Sequence, residues 1–164
     1  NPQNMANTAW AFATADVAAA GLFDAIATEA VGRLREFNPQ NMANTAWAFA
    51  TADVAAKGLF DAIATEAVGR VRHFNSQGMA NTIWAFATAD VAAAGLFDAI
   101  ATEAVGRVRE FNPQEIANTI WAFATADVAA AGLFDAIAAE AVGRVREFNP
   151  QDMANTVWAF ATAD

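Results

Sequence analysis

Five asparagines set 37 residues apart, Asn7, Asn44, Asn81, Asn118 and Asn155, are the side chains in this sequence best suited to recognition. An amide carries both donors and an acceptor, so a regular row of them can hold base edges or the backbone of an extended peptide. The structural alternative is bonding to neighbouring backbone or to adjacent asparagines. The fourth position of the same repeat is its most variable polar one: Asn4, Asn41, Gly78, Glu115 and Asp152. It is a candidate specificity position, of the kind found where two or three side chains of a helical repeat read one base. The alternative there is drift in a solvated first turn, with acids drawn to a helix N-terminus. Trp10, Trp47, Trp84, Trp121 and Trp158 have the rings to stack on bases. Their place at the edge of an apolar arc predicts core packing instead.

Other chemistry is excluded or unsupported. There is no cysteine and a single histidine, His73, so neither thiolate chemistry nor a zinc ligand set can be assembled. The repeating acids Asp16, Asp24 and Glu29 lack EF-hand spacing and are expected to serve as caps and in salt links. No nucleophile, base and orienting group come together, so neither catalysis nor a cofactor is expected. The paired arginines Arg33/Arg35, Arg70/Arg72, Arg107/Arg109 and Arg144/Arg146 make up, with Lys57, the whole basic inventory. They are expected to satisfy helix ends and nearby carboxylates. With 18 acids against 9 bases the net charge is −9, which disfavours sequence-independent attraction to phosphate backbones or anionic lipid. The longest uncharged stretches, such as 74–89, are studded with Asn, Gln, Thr and Ser, so no membrane span and a soluble chain are expected. A start at Asn1 without Met or a basic, apolar leader suggests an excerpt of a longer protein.

The elements that position these residues follow from the 37-residue period, which divides the chain into units 1–37, 38–74, 75–111, 112–148 and a partial 149–164 of one repeat array. In every unit but the third, Asn followed by Pro (Pro2, Pro39, Pro113, Pro150) predicts an N-cap and first helical residue, opening a helix that ends near Thr14 or Ala15. Asp16 is unfavourable at that C-terminus and is expected to cap a second helix, running from about Val17 or Ala20 to Glu36. The second helix collects Leu22, Phe23, Ile26, Ala30, Leu34 and Phe37 on one face, and sets Glu29 four residues ahead of Arg33. Gly21 and Gly32 share a narrow stripe with Ala25 and Thr28, which predicts close approach of a neighbouring unit there. One such helix pair cannot bury its own apolar faces, whereas stacked pairs share a core, so the fold is expected to be an all-α solenoid of four full helix-turn-helix units plus the first helix of a fifth. The ninth position (Ala9, Ala46, Ile83, Ile120, Val157) is expected in the core. Neither terminal unit carries the polar substitutions of a capping repeat, which predicts a longer parent array or end-to-end association between chains.

The phrase Pro-Gln-x-Met-Ala-Asn-Thr-x-Trp-Ala-Phe-Ala, at 2–13 and 39–50, resembles the first helix of octotricopeptide repeats. The unit length is closer to the heptatricopeptide variety found in proteins that also carry RAP domains. This resemblance implies a helix-turn-helix solenoid that binds single-stranded RNA in chloroplasts or mitochondria through the first helices of successive units. The alternatives are a scaffold in which the asparagines grip an extended peptide, and a consensus or excerpted array with no function of its own.

Overall fold

In the computed structural model, which describes residues 1–163, every regular element among those residues is helical. In chain order the α-helices are α1 (Pro2–Thr14), α2 (Ala20–Arg33), α3 (Pro39–Thr51), α4 (Lys57–Val68), α5 (Ser76–Thr88), α6 (Ala94–Arg107), α7 (Pro113–Thr125), α8 (Ala131–Arg144) and α9 (Pro150–Thr162). Odd-numbered helices are the first of their unit and even-numbered helices the second. Short 3-10 turns, such as Leu34–Glu36 after α2, lead into the next unit. The side chains of Asn1, Asn38, Asn75, Asn112 and Asn149 each accept from the backbone N–H three residues on, at 2.7 to 2.8 Å. Each thereby satisfies a donor that the helix leaves free.

First helices pack on first helices and second helices on second helices along the whole chain, with α1 on α3 and α2 on α4 setting the pattern. The two layers form an α-solenoid. Alanine dominates the first layer: Ala43, Ala46, Ala48 and Ala50 are all buried in α3, and their small side chains let helix axes approach closely. Phenylalanines lock one unit to the next. Phe23 meets Phe49 edge to face with ring centres 5.0 Å apart, and Phe60–Phe86 and Phe97–Phe123 repeat the contact. Such pairs add about 0.5–1.5 kcal/mol beyond the area they bury.

The end helices show which side of a first helix faces which neighbour. In α1, Ala6, Ala9 and Ala13 are buried while Asn4 and Ala11 are exposed. In α9 the pattern inverts: Asp152, Thr156 and Ala159 are buried while Met153, Ala154 and Val157 are exposed. The fourth, eighth and eleventh positions therefore face the preceding unit, and the sixth, ninth and thirteenth the following one. The ninth position is core wherever a unit follows, at Ala9, Ala46, Ile83 and Ile120.

Two expectations are overturned. Asp16 does not cap the second helix; it closes the first. Asp16, Asp53, Asp90 and Asp127 sit in the left-handed region with φ of 52 to 54°. The Asp16 N–H donates to the Ala13 carbonyl and the Val17 N–H to the Phe12 carbonyl, each at 3.2 Å. This is a Schellman ending, and Asp tolerates the left-handed position better than most side chains. The second helix starts at Ala20 behind Ala19, which offers no side-chain cap. The glycine stripe, in turn, is not a close approach. A Cβ built at Gly21, Gly32, Gly58, Gly95 or Gly106 meets nothing within 4 Å, because these positions lie on the outer face of the second helix.

Candidate functional site

A first helix flanked by neighbours on both sides, with a second helix beneath, keeps one free stripe. At 100° per residue the third, seventh, tenth and fourteenth positions fall within 60° of one another, on that stripe. In α3 these are Gln40, Asn44, Trp47 and Thr51, and in α5 Gln77, Asn81, Trp84 and Thr88. All five copies carry the same four residue types, so the stripe repeats Gln-Asn-Trp-Thr along the solenoid without a charged group.

Asn7 is exposed, and Asn44, Asn81, Asn118 and Asn155 are half-buried. The bonds made by Asn residues run elsewhere, between the caps and the fourth position; among the described residues none engages these five amides. They keep donors and acceptors available to a partner.

The tryptophans lie at the boundary between stripe and core, so the core packing expected of them holds for one side of the ring only. Trp47, Trp84 and Trp121 rest one side against the core and leave the other outside. Trp10 and Trp158, at the ends, are 48% and 45% exposed. In one adjacent pair the rings come together: the Trp47 and Trp84 centres are 6.4 Å apart with their planes 29° from parallel. The reason is steric. Small alanines suffice for the inter-unit contacts, so a bulky ring at the tenth position stays at the mouth between two helices.

The fourth-position residues stand at the edge of the stripe and face the preceding unit. Asn41 and Glu115 turn back to accept from the backbone N–H of Asn38 and Asn112, at 3.4 and 3.0 Å, completing capping boxes. Asn41, Gly78 and Asp152 are buried, Glu115 is half-buried and Asn4 is exposed. Where the position is glycine, a cleft of about 260 Å³ opens between the N-termini of α3 and α5, with Gln40, His73 and Gly78 in its walls. The structure thus brings the asparagine row, the tryptophans and Gln40 together on one surface and ties much of the fourth position to helix capping. The glutamines Gln3, Gln40, Gln77, Gln114 and Gln151 and the threonines of the fourteenth position join this surface beyond the residues expected there. Their spacing from Asn and Trp was the signal.

The charges sit elsewhere. Arg33 pairs with Glu29 at 3.1 Å and Glu36 at 2.7 Å, and Arg107 and Arg144 make the corresponding pairs on their own helices and turns. These guanidiniums hold the Glu36 and Glu110 carboxyls below the usual carboxylate range through hydrogen bonds. Arg35, Arg72, Arg109 and Arg146 project from the turns into solvent. Among the described residues no group of three or more His, Cys, Asp or Glu is placed to hold a metal ion. No helix among them is long and apolar enough to cross a membrane.

Residues 1–164 match the model of one protein family, described as RNA-editing substrate-binding complex 6 protein. No curated protein matches the chain.

Proposed function

Because the chain belongs to the RNA-editing substrate-binding complex 6 protein family, we propose that it is a non-enzymatic RNA-binding module of such a complex, holding single-stranded RNA along the outer stripe of its first helices. The observation that carries this reading is the row of amides without partners among the described residues, each one turn from a half-exposed indole. Unpaired bases present flat faces for an indole and polar edges for an amide, and a duplex hides both. By analogy with other helical readers, each unit takes one base, so the array covers roughly four or five nucleotides. The likeness of the first helices to those of octotricopeptide and heptatricopeptide repeats supports the same assignment.

The neutral stripe also sets the form of the interaction. With Gln, Asn, Trp and Thr in contact and no cation among them, affinity comes from bases rather than phosphates, and added salt weakens it only shallowly. The same neutrality favours one second reading, an extended peptide whose backbone bonds to the asparagines.

The test is selection from a random single-stranded RNA pool at low salt, run beside a peptide library, with Asn81→Ala plus Asn118→Ala as control. The RNA reading expects enriched sequences that the control binds about thirtyfold less tightly, since two hydrogen bonds of about 1 kcal/mol are lost. Retention of peptides alone, or equal retention of RNA by the control, contradicts it.

A further inference from the structure

The charge of the chain is segregated. The turns that join first to second helices form one edge of the solenoid. Asp16, Asp53, Asp90 and Asp127 stand on it, with Asp24 and its three repeats one turn into the helices that follow, all of them exposed. The arginines lie at the opposite edge, where Arg33, Arg70, Arg107 and Arg144 are paired with glutamates. Among the described residues Lys57 is the only cation on the aspartate edge, so most of the net charge of −9 falls there. Between the carboxylates this edge is apolar. Inside the array, the turn ahead of α4 and the turn ahead of α6 enclose a cleft of about 360 Å³ walled by Val54, Ala56, Phe60 and Val91, with Asp90 and Lys57 also lining it. Lys57 stands where the other units have alanine, and its ammonium meets the Asp61 carboxylate at 2.7 Å, so the chain itself sets one cation against this edge.

We propose that this edge docks a basic segment of a protein partner in which lysine or arginine recurs at every third residue. A side chain with an apolar stem and a cationic head suits a cleft walled by Val, Ala and Phe with a carboxylate beside it. The interval follows from the stack. Packed helices lie about 8–10 Å apart, and a polyproline II chain advances about 3.1 Å per residue with three residues per turn, so one face of such a segment returns at roughly the spacing of the units. The same carboxylates repel phosphate backbones. The edge is therefore separate from the outer stripe and does not depend on what that stripe binds.

The probe is a fluorescein-labelled peptide of four Arg-Pro-Pro triplets, titrated into the 164-residue chain at low salt and followed by anisotropy. A peptide of the same composition with its arginines adjacent is the comparison. The periodic peptide is expected to bind at least about fivefold more tightly than the clustered one. Asp90→Asn plus Asp127→Asn should weaken it about fivefold. Asn tolerates the left-handed position that both aspartates hold, so unchanged helical dichroism is expected of that variant. Lys57→Ala, which frees Asp61, should tighten binding several-fold, whereas Arg72→Ala, the same change of charge at the opposite edge, should leave it unaltered. Absence of binding up to about 1 mM peptide, equal binding of the two peptides, or equal responses to Lys57→Ala and Arg72→Ala overturns the proposal.

Discussion

The guanidinium of Arg107 donates from Nη1 to the carbonyl oxygen of Phe74, 33 residues earlier and in the preceding unit, at 2.9 Å. The same side chain binds Glu103 on its own helix at 3.2 Å and Glu110 in the following turn at 2.8 Å. One residue thus closes the end of a helix, orders the turn after it and ties two units together. Arg144 repeats the arrangement with Phe111, Glu140 and Glu147. Arg70 does not. With His73 standing where other units have glutamate, it keeps only Glu66, at 3.3 Å, and α4 stops at Val68.

Removing this tie lowers stability. Arg107→Gln should cost about 1.5 kcal/mol, the usual value of a hydrogen bond to a charged group, read as a lower urea midpoint. His73→Glu should act in the opposite direction by about 0.5 kcal/mol, because it gives Arg70 the partner found in the other units.

The pair also makes stability depend on pH. Arg107, chiefly by hydrogen bonding, holds the Glu110 carboxyl below its ordinary range, as Arg33 holds Glu36. A lowered folded-state pKa means a contribution that is complete above the unfolded-state value of about 4.3 and fades as the pH drops through the lowered value. Thermal unfolding from pH 6 down to about pH 3 should therefore show a smaller acid-induced fall in Tm for Glu110→Gln than for the parent chain.

The strongest local signals in the sequence set the first helices. The Asn cap, followed by Pro in four of the five units, marked their starts, and the apolar arc placed the ninth position in the core, because each depends on short-range chemistry or on the 3.6-residue period. Asp16 misled because two roles compete for one residue type: a carboxylate suits an N-cap, yet the carbonyls at the end of α1 needed a left-handed residue first. Gly21 and Gly32 misled because a stripe of small residues marks equally well a tight contact or a face that touches nothing. The place of the tryptophans at the edge of the apolar arc points to the core but does not say how much of each ring stays outside it. Only the presence of a neighbour on each side, a property of the stack and not of one helix, leaves Trp47 and Asn44 on a shared free edge.

The left-handed aspartates predict an easy gain. Asp53→Gly and Asp90→Gly remove a Cβ from a region that costs L residues about 1–2 kcal/mol, partly offset by the freedom glycine gains when unfolded. A net rise of about 0.5 kcal/mol each is expected in urea unfolding. A fall would mean that the carboxylates hold the turn in a way backbone geometry does not reveal.

The exposed glycines predict another. Gly95→Ala and Gly106→Ala place a methyl in open space within α6, so each should add about 0.5–1 kcal/mol by helix propensity alone. Loss of stability would restore the close-approach reading of that stripe.

The measurement that bears most directly on the recognition surface is tryptophan fluorescence during titration with single-stranded RNA, with a duplex of the same sequence as the comparison. Stacking of bases on Trp47, Trp84 and Trp121 should quench emission with the single strand and leave it unchanged with the duplex. The slope of log affinity against log salt should stay below about 2 in magnitude, since the stripe carries no cation. Binding without quenching, or a steep salt dependence that survives Asn81→Ala plus Asn118→Ala, would place the RNA away from the first helices and contradict the account.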